Sequence, residues 1–224
     1  MPDCWTHSCR NRFTDGDFDF LAGALAPQGT RRHLATLWDD PIGRREMLDL
    51  KDVLRHLLES PNTVEVSARF YFYILVRHSF LDAGLRDVDL ADYVASVLAG
   101  RVCPDANDLL QHVTRGFTHA AEFLSVIAPS RGRMRFHLHV AAGNQFLVLT
   151  GLYPDFLRQR SAATGTPDLD FYESFARQAF LGAADSQTIP CPASRRLLGT
   201  LAEAMPDARR SLNRMAEEFV FLGE

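Results

Sequence analysis

Eight imidazoles, at positions 7, 33, 56, 78, 112, 119, 137 and 139, are the groups of this chain best suited to chemistry near neutral pH, because imidazole both titrates in that range and ligates metals. Their spacing sorts them. His112 and His119 stand seven apart, on one helical face across two turns, and Glu122 follows His119 by three, which sets a carboxylate beside the imidazoles. His112, His119 and Glu122 are therefore candidate ligands for a divalent metal (iron, manganese or zinc) whose open position would activate water or dioxygen. Bundle di-iron sites use Glu-x-x-His on two helices, whereas His119 to Glu122 and His56 to Glu59 run in the reverse order. Cys4-x-x-His7-x-Cys9 carries the donors of a zinc knuckle. A structural zinc takes four ligands, however, so only Cys103 or Cys191 could complete it, and only through the fold.

A second group of residues is notable for its surroundings. His137 and Asn144 lie inside the apolar run from Phe136 to Leu152, and Arg69, Arg77 and His78 share a helix with the apolar run Phe70 to Val76. A buried polar group without a partner costs about 1–3 kcal/mol, so something must answer each of these. They describe a polar seam through the core that either fixes packing or holds a small ligand. The ligand-binding candidates are Arg77, His78, His137, Asn144 and Tyr172. Asp82, one turn from His78, is an available partner for it, and Tyr172 could offer its hydroxyl to His137 or Asn144. Glu173 and Arg177, four apart, predict an exposed helical salt bridge worth about 0.3–0.5 kcal/mol. Arg131, Arg133 and Arg135, with Arg158 and Arg160, could form a local anion-binding surface. No Gly-x-Ser-x-Gly, phosphate loop or dinucleotide glycine pattern is present.

The elements that position these groups read as helices, because apolar residues return every three or four positions. Asp40-Pro41 offers a cap for a helix carrying Met47, Leu50, Val53, Leu54 and Leu57 on one face. Asn62 and Glu65 have capping-box spacing ahead of the central helix through Phe70 and Leu81. Asp87 opens another helix, and Pro104-Asp105 begins one that Gly116 interrupts. Residues 133–140 alternate with a strand period, which would point His137 and His139 the same way, whereas a helix separates them by about 200°. The continuation through Ala141-Ala142 favours the helix. Gly143 and Gly151, eight apart, predict a close helix crossing, and Pro154 predicts a kink that frees a carbonyl. A small-residue loop at 161–168 precedes three more helices, near 169–184, 193–205 and 207–222.

The fold class is thus all-α: one irregular multi-helix bundle of about eight or nine helices, with a flexible N-terminal tail over 1–12, and a break at 186–192 before a C-terminal helical hairpin. Among 224 residues, 46% are hydrophobic, enough for a core. Net charge is −4, which gives no reason to expect a nucleic-acid partner, although a local basic patch is compatible with it. The longest apolar runs fall far short of the roughly 20 residues of a membrane span. Four scattered cysteines and no signal-peptide pattern predict a reducing, cytoplasmic setting. Phe219, Val220, Phe221 and Leu222 would support a homo-oligomer if they left an apolar face exposed.

Gly-Asn-x-x-Leu-x-Leu-Thr-Gly-x-Tyr-Pro-Asp at 143–155, followed by Phe-Tyr-Glu-Ser-Phe-Ala at 171–176, resembles a bacterial helical family of unknown function, with Asn144 where that pattern has Asp. The resemblance implies a helical fold and brings no activity, cofactor or catalytic residue. Together these readings point to a small-ligand-binding or accessory protein, with a metal-dependent helical-bundle enzyme and an oligomeric scaffold as alternatives.

Overall fold

A computed structural model describes residues 8–25, 31–60, 66–103, 114, 116–188 and 191–220. Among these residues the chain is all-helical, without strands, and forms twelve α-helices rather than eight or nine. It divides into two compact units, His7–Cys103 and Pro104–Glu224 with Met1–Thr6.

In the first unit, α1 (Asp15–Leu25), α2 (Arg31–Asp39), α3 (Pro41–Leu48) and α4 (Lys51–Glu59) precede the central α5 (Ala68–Asp82) and its partner α6 (Val88–Val102). Asp40 caps α3 by accepting from the Gly43 amide at 2.6 Å, with Pro41 in the first turn. The continuous helix expected beyond it breaks, because Leu50 is extended (φ −73°, ψ 130°) and starts α4 afresh. Ser67 caps α5 through the Phe70 amide, and fully buried Asp17 accepts from the Ser67 amide (2.7 Å) and hydroxyl (2.8 Å). Asn62 and Glu65 lie outside the described residues. Phe70, Tyr73, Ile74, Leu75, Val76 and Phe80 are all buried, as the apolar run of α5 demands. Asp87 caps α6 by accepting from the amides of Asp89 and Leu90.

The described part of the expected N-terminal tail is anchored. Arg10–Arg12 form one 3₁₀ turn, Cys9 is buried, and the amides of Cys9 and Arg10 donate to Asp92 Oδ1 at 2.9 and 3.0 Å.

In the second unit, α7 (Ala120–Ile127) leads to the 21-residue α8 (Gly132–Leu152), followed by α9 (Pro154–Thr164), α10 (Leu169–Ala184), α11 (Pro192–Glu203) and α12 (Met205–Met215). Residues 133–140 are helical, so the strand period there has no structural counterpart. Gly116, at φ +84°, stands in a turn ahead of α7. The loop expected at 161–168 is shorter, because α9 continues to Thr164 and ends on Gly165 in the left-handed region. α8 packs against α10 and α12, and its two glycines make this possible. A Cβ on Gly143 would lie 2.5 Å from the Phe180 ring of α10, and one on Gly151 would lie 2.9 Å from Leu212 of α12. The chain breaks at Tyr153, ahead of Pro154, as the proline requires. The carbonyl this frees, Thr150 O, accepts from Asn213 Nδ2 of α12 at 2.9 Å, as does Gly151 O. No described helix is long and apolar enough to cross a membrane.

Candidate functional site

The polar seam of the first unit is present and internally answered. Arg77, 1% exposed, donates from Nε and Nη2 to Asp49 Oδ1 and Oδ2 at 2.7 and 2.8 Å, and from Nη1 to Arg86 O at 3.0 Å. His78 Nε2 meets Leu48 O at 3.1 Å, so its partner is a backbone carbonyl rather than Asp82. The break between α3 and α4 explains both contacts. Ending α3 at Leu48 leaves that carbonyl without a helical partner and places Asp49 beside Arg77. Nearby, Arg10 Nε pairs with Asp92 Oδ2 at 3.2 Å. Burial and then the Asp92 carboxylate push the Cys9 thiol up to about 12, so this cysteine is protonated and unreactive. Arg77 and His78 thus hold α5 to the end of α3, which is a packing role.

The metal candidates do not converge among the described residues. His112 lies outside them, and Glu122 Oε2 accepts from the amides of Thr118 and His119, both at 2.7 Å. That carboxylate caps α7. No three described His, Cys, Asp or Glu residues stand close enough together to hold a metal ion. His33 is exposed on α2, and His56 packs its ring 4.8 Å from Phe20. Of the knuckle-like residues, Cys4 and His7 lie outside the described residues. Cys9 and Cys103 are free thiols.

Tyr172 is buried, stacks on Phe146 (4.9 Å between centroids, 15° between planes) and lies under the Arg160 guanidinium at 5.2 Å. Glu173 pairs not with Arg177 but with Arg209 of α12, because helix packing brings Arg209 to it and leaves Arg177 exposed. His137 and Asn144 are half-buried on α8.

The most open chemistry lies where the N-terminal half of α8 faces the end of α10. Gly132, Arg135, Phe136 and His139 form one stripe of α8, and Gly182, Asp185, Ser186 and Thr188 supply the other wall of a groove of about 350 Å³. That volume is at the low end of the roughly 300–1,000 Å³ typical of small-molecule sites. His139 seats its ring on Gly182, where a Cβ would lie 2.9 Å from Cε1. Its Nδ1 is buried and has no hydrogen-bond partner. Burial, then the Arg135 charge, hold its pKa below the ordinary value, so the ring is neutral at pH 7. Ser186 Oγ donates to Thr188 Oγ1 at 3.2 Å. Sequence reasoning assigned Arg135 to an anion-binding surface and placed His139 away from His137, but did not join them to residues 182–188. The signal available was Gly182, a helical glycine three residues before an acidic cap.

His139 and His78 both hold depressed pKa values, the latter also through burial first. The unfolded chain takes up protons below about 6.5 that these folded rings refuse. Stability is therefore level above that value and declines as pH falls through it towards the folded values. Urea midpoints measured between about pH 5 and pH 8 should show this decline, with a shallower slope in His139→Phe. An unchanged midpoint across that interval would refute the assignment.

Comparison with protein-family models, with curated proteins and with solved structures gives no match.

Proposed function

We propose that this protein binds a small anion-bearing ligand in the groove between α8 and α10. What supports the reading is the His139 ring on the groove wall, one turn from Arg135, whose guanidinium makes no ion pair among the described residues. A neutral imidazole can present an N–H to a carboxylate or phosphate oxygen, and the guanidinium supplies charge-assisted hydrogen bonds. Gly132, the first residue of α8, lines the same space, and the Arg131 side chain does not cap the helix. The metal-enzyme alternative draws no support from the described residues; of the apolar segment that would favour a scaffold, Phe219 is half-buried and the side chains of Val220, Phe221 and Leu222 lie outside the described residues.

The test is a titration of the full chain with acetate and with inorganic phosphate at constant ionic strength, following the His139 ring resonances by NMR. Saturable shifts and an upward move of the His139 pKa are expected, with affinity lowered about tenfold in Arg135→Gln. Ring resonances that do not respond to either anion would overturn the reading.

A further inference from the structure

We infer that the ligand of this groove is a zwitterion, a small molecule carrying an ammonium as well as an acid group, of the amino-acid class. The inference rests on the anion reading above and deepens it. Arg135 on the α8 wall and Asp185 on the α10 wall line one cavity with opposite charges, yet they form no ion pair with each other or with any other described residue.

Each charge is also set against its own helix. Arg131, Arg133 and Arg135 cluster at the start of α8, whose first turn holds no acidic residue, although the positive end of a helix favours anions. Asp185 follows the last residue of α10 as its C-cap, although the negative end favours cations. Two placements that cost stability when the groove is empty become favourable when it is filled in one orientation. The acid group lies toward Arg135, His139 and Gly132, and the ammonium lies toward Asp185, Ser186 and Thr188. An ammonium has three donors to distribute, and the Asp185 carboxylate with the Ser186 and Thr188 hydroxyls offers acceptors on that wall. Phe136 adds an apolar ring to the lining, a surface suited to a short carbon spacer.

The experiment compares, on the full chain, L-alanine and 4-aminobutyrate with their N-acetyl forms and their methyl esters, by the His139 ring shifts and by calorimetry. At least one zwitterion should bind about tenfold more tightly than either of its derivatives. Asp185→Asn should bring the zwitterion down to its N-acetyl form without changing the latter. Arg135→Gln should weaken both. The two side chains are exposed, and far-UV circular dichroism checks that each variant folds. N-acetyl forms binding as tightly as their parents, or an affinity ratio untouched by Asp185→Asn, would overturn the zwitterion and leave the anion site standing. Methyl esters matching the zwitterions, or no acid-bearing probe reaching His139, would overturn both.

Discussion

Replacing Asp49 with alanine should lower the unfolding free energy by about 3 kcal/mol, toward the lower end of the roughly 3–5 kcal/mol lost when one partner of a buried ion pair is removed. The reason lies in what remains. Arg77 is 1% exposed and has Asp49 as its carboxylate partner, in a two-pronged contact. Without that carboxylate, a guanidinium charge stays in the core of α5 with the Arg86 carbonyl at 3.0 Å as its remaining described acceptor. Asp49 itself is 23% exposed, so water can reach the vacated side and moderates the loss. The double change Asp49→Leu with Arg77→Met removes both charges and should recover most of the stability, because paired buried charges contribute little net over a well-packed apolar pair. Arg77→Lys should fall between the two, since an ammonium cannot reproduce the planar fork. Urea unfolding of the full chain, followed by circular dichroism, measures all three. A loss below about 1 kcal/mol for Asp49→Ala would place the pair among surface bridges instead.

The same pair shows how far the sequence could be read. A polar seam was legible because Arg77 and His78 sit in a run too apolar to leave them in water, and burial without a partner is costly. Their partners were not legible. Asp49 and Leu48 O reach them only because α3 stops at residue 48, and the apolar residues Met47, Leu50, Val53 and Leu57 keep a helical period straight across that stop. Periodicity reports which face is buried, not whether the backbone is continuous. Hence the stretch that reads as a single helix from Pro41 to Leu57 is divided. α1 and α2 were missed for another reason, since Asp, Gly and Ala dilute the apolar stripe of the first and the second is only nine residues long. Caps with a local mechanism transferred well, as at Asp40 and Asp87, because the capping oxygen and its amides lie within one turn. The groove at His139 depends on two helices 40 or more residues apart and on the seat that Gly182 leaves, and no local pattern encodes that approach. The proline at 154 behaved as its chemistry requires, while the group that answers the freed carbonyl, Asn213, is fixed by tertiary packing alone.

That packing makes Gly143 the most demanding position of α8, and Gly143→Val should destabilise the chain by about 3 kcal/mol, the upper part of the range for overpacking a core. The first added carbon would stand 2.5 Å from Phe180 Cε1 and 2.7 Å from Cδ1, and Phe180 is fully buried, so the ring has no solvent side to turn toward. Gly143→Ala should cost less, because the gain of about 1 kcal/mol in helix propensity offsets part of the clash. Gly100→Ala provides the contrast. It lies in α6 with nothing within 4 Å of its added carbon, so the propensity gain should appear there without the clash. Pairing Gly143→Ala with Phe180→Leu removes the flat ring that occupies the space, and the two changes should be less harmful together than the sum of each alone. Non-additivity of that sign, of about 1 kcal/mol in a double-mutant cycle, is the signature of direct contact. Additive losses would mean that α8 and α10 separate slightly instead, and that the glycine does not set their distance.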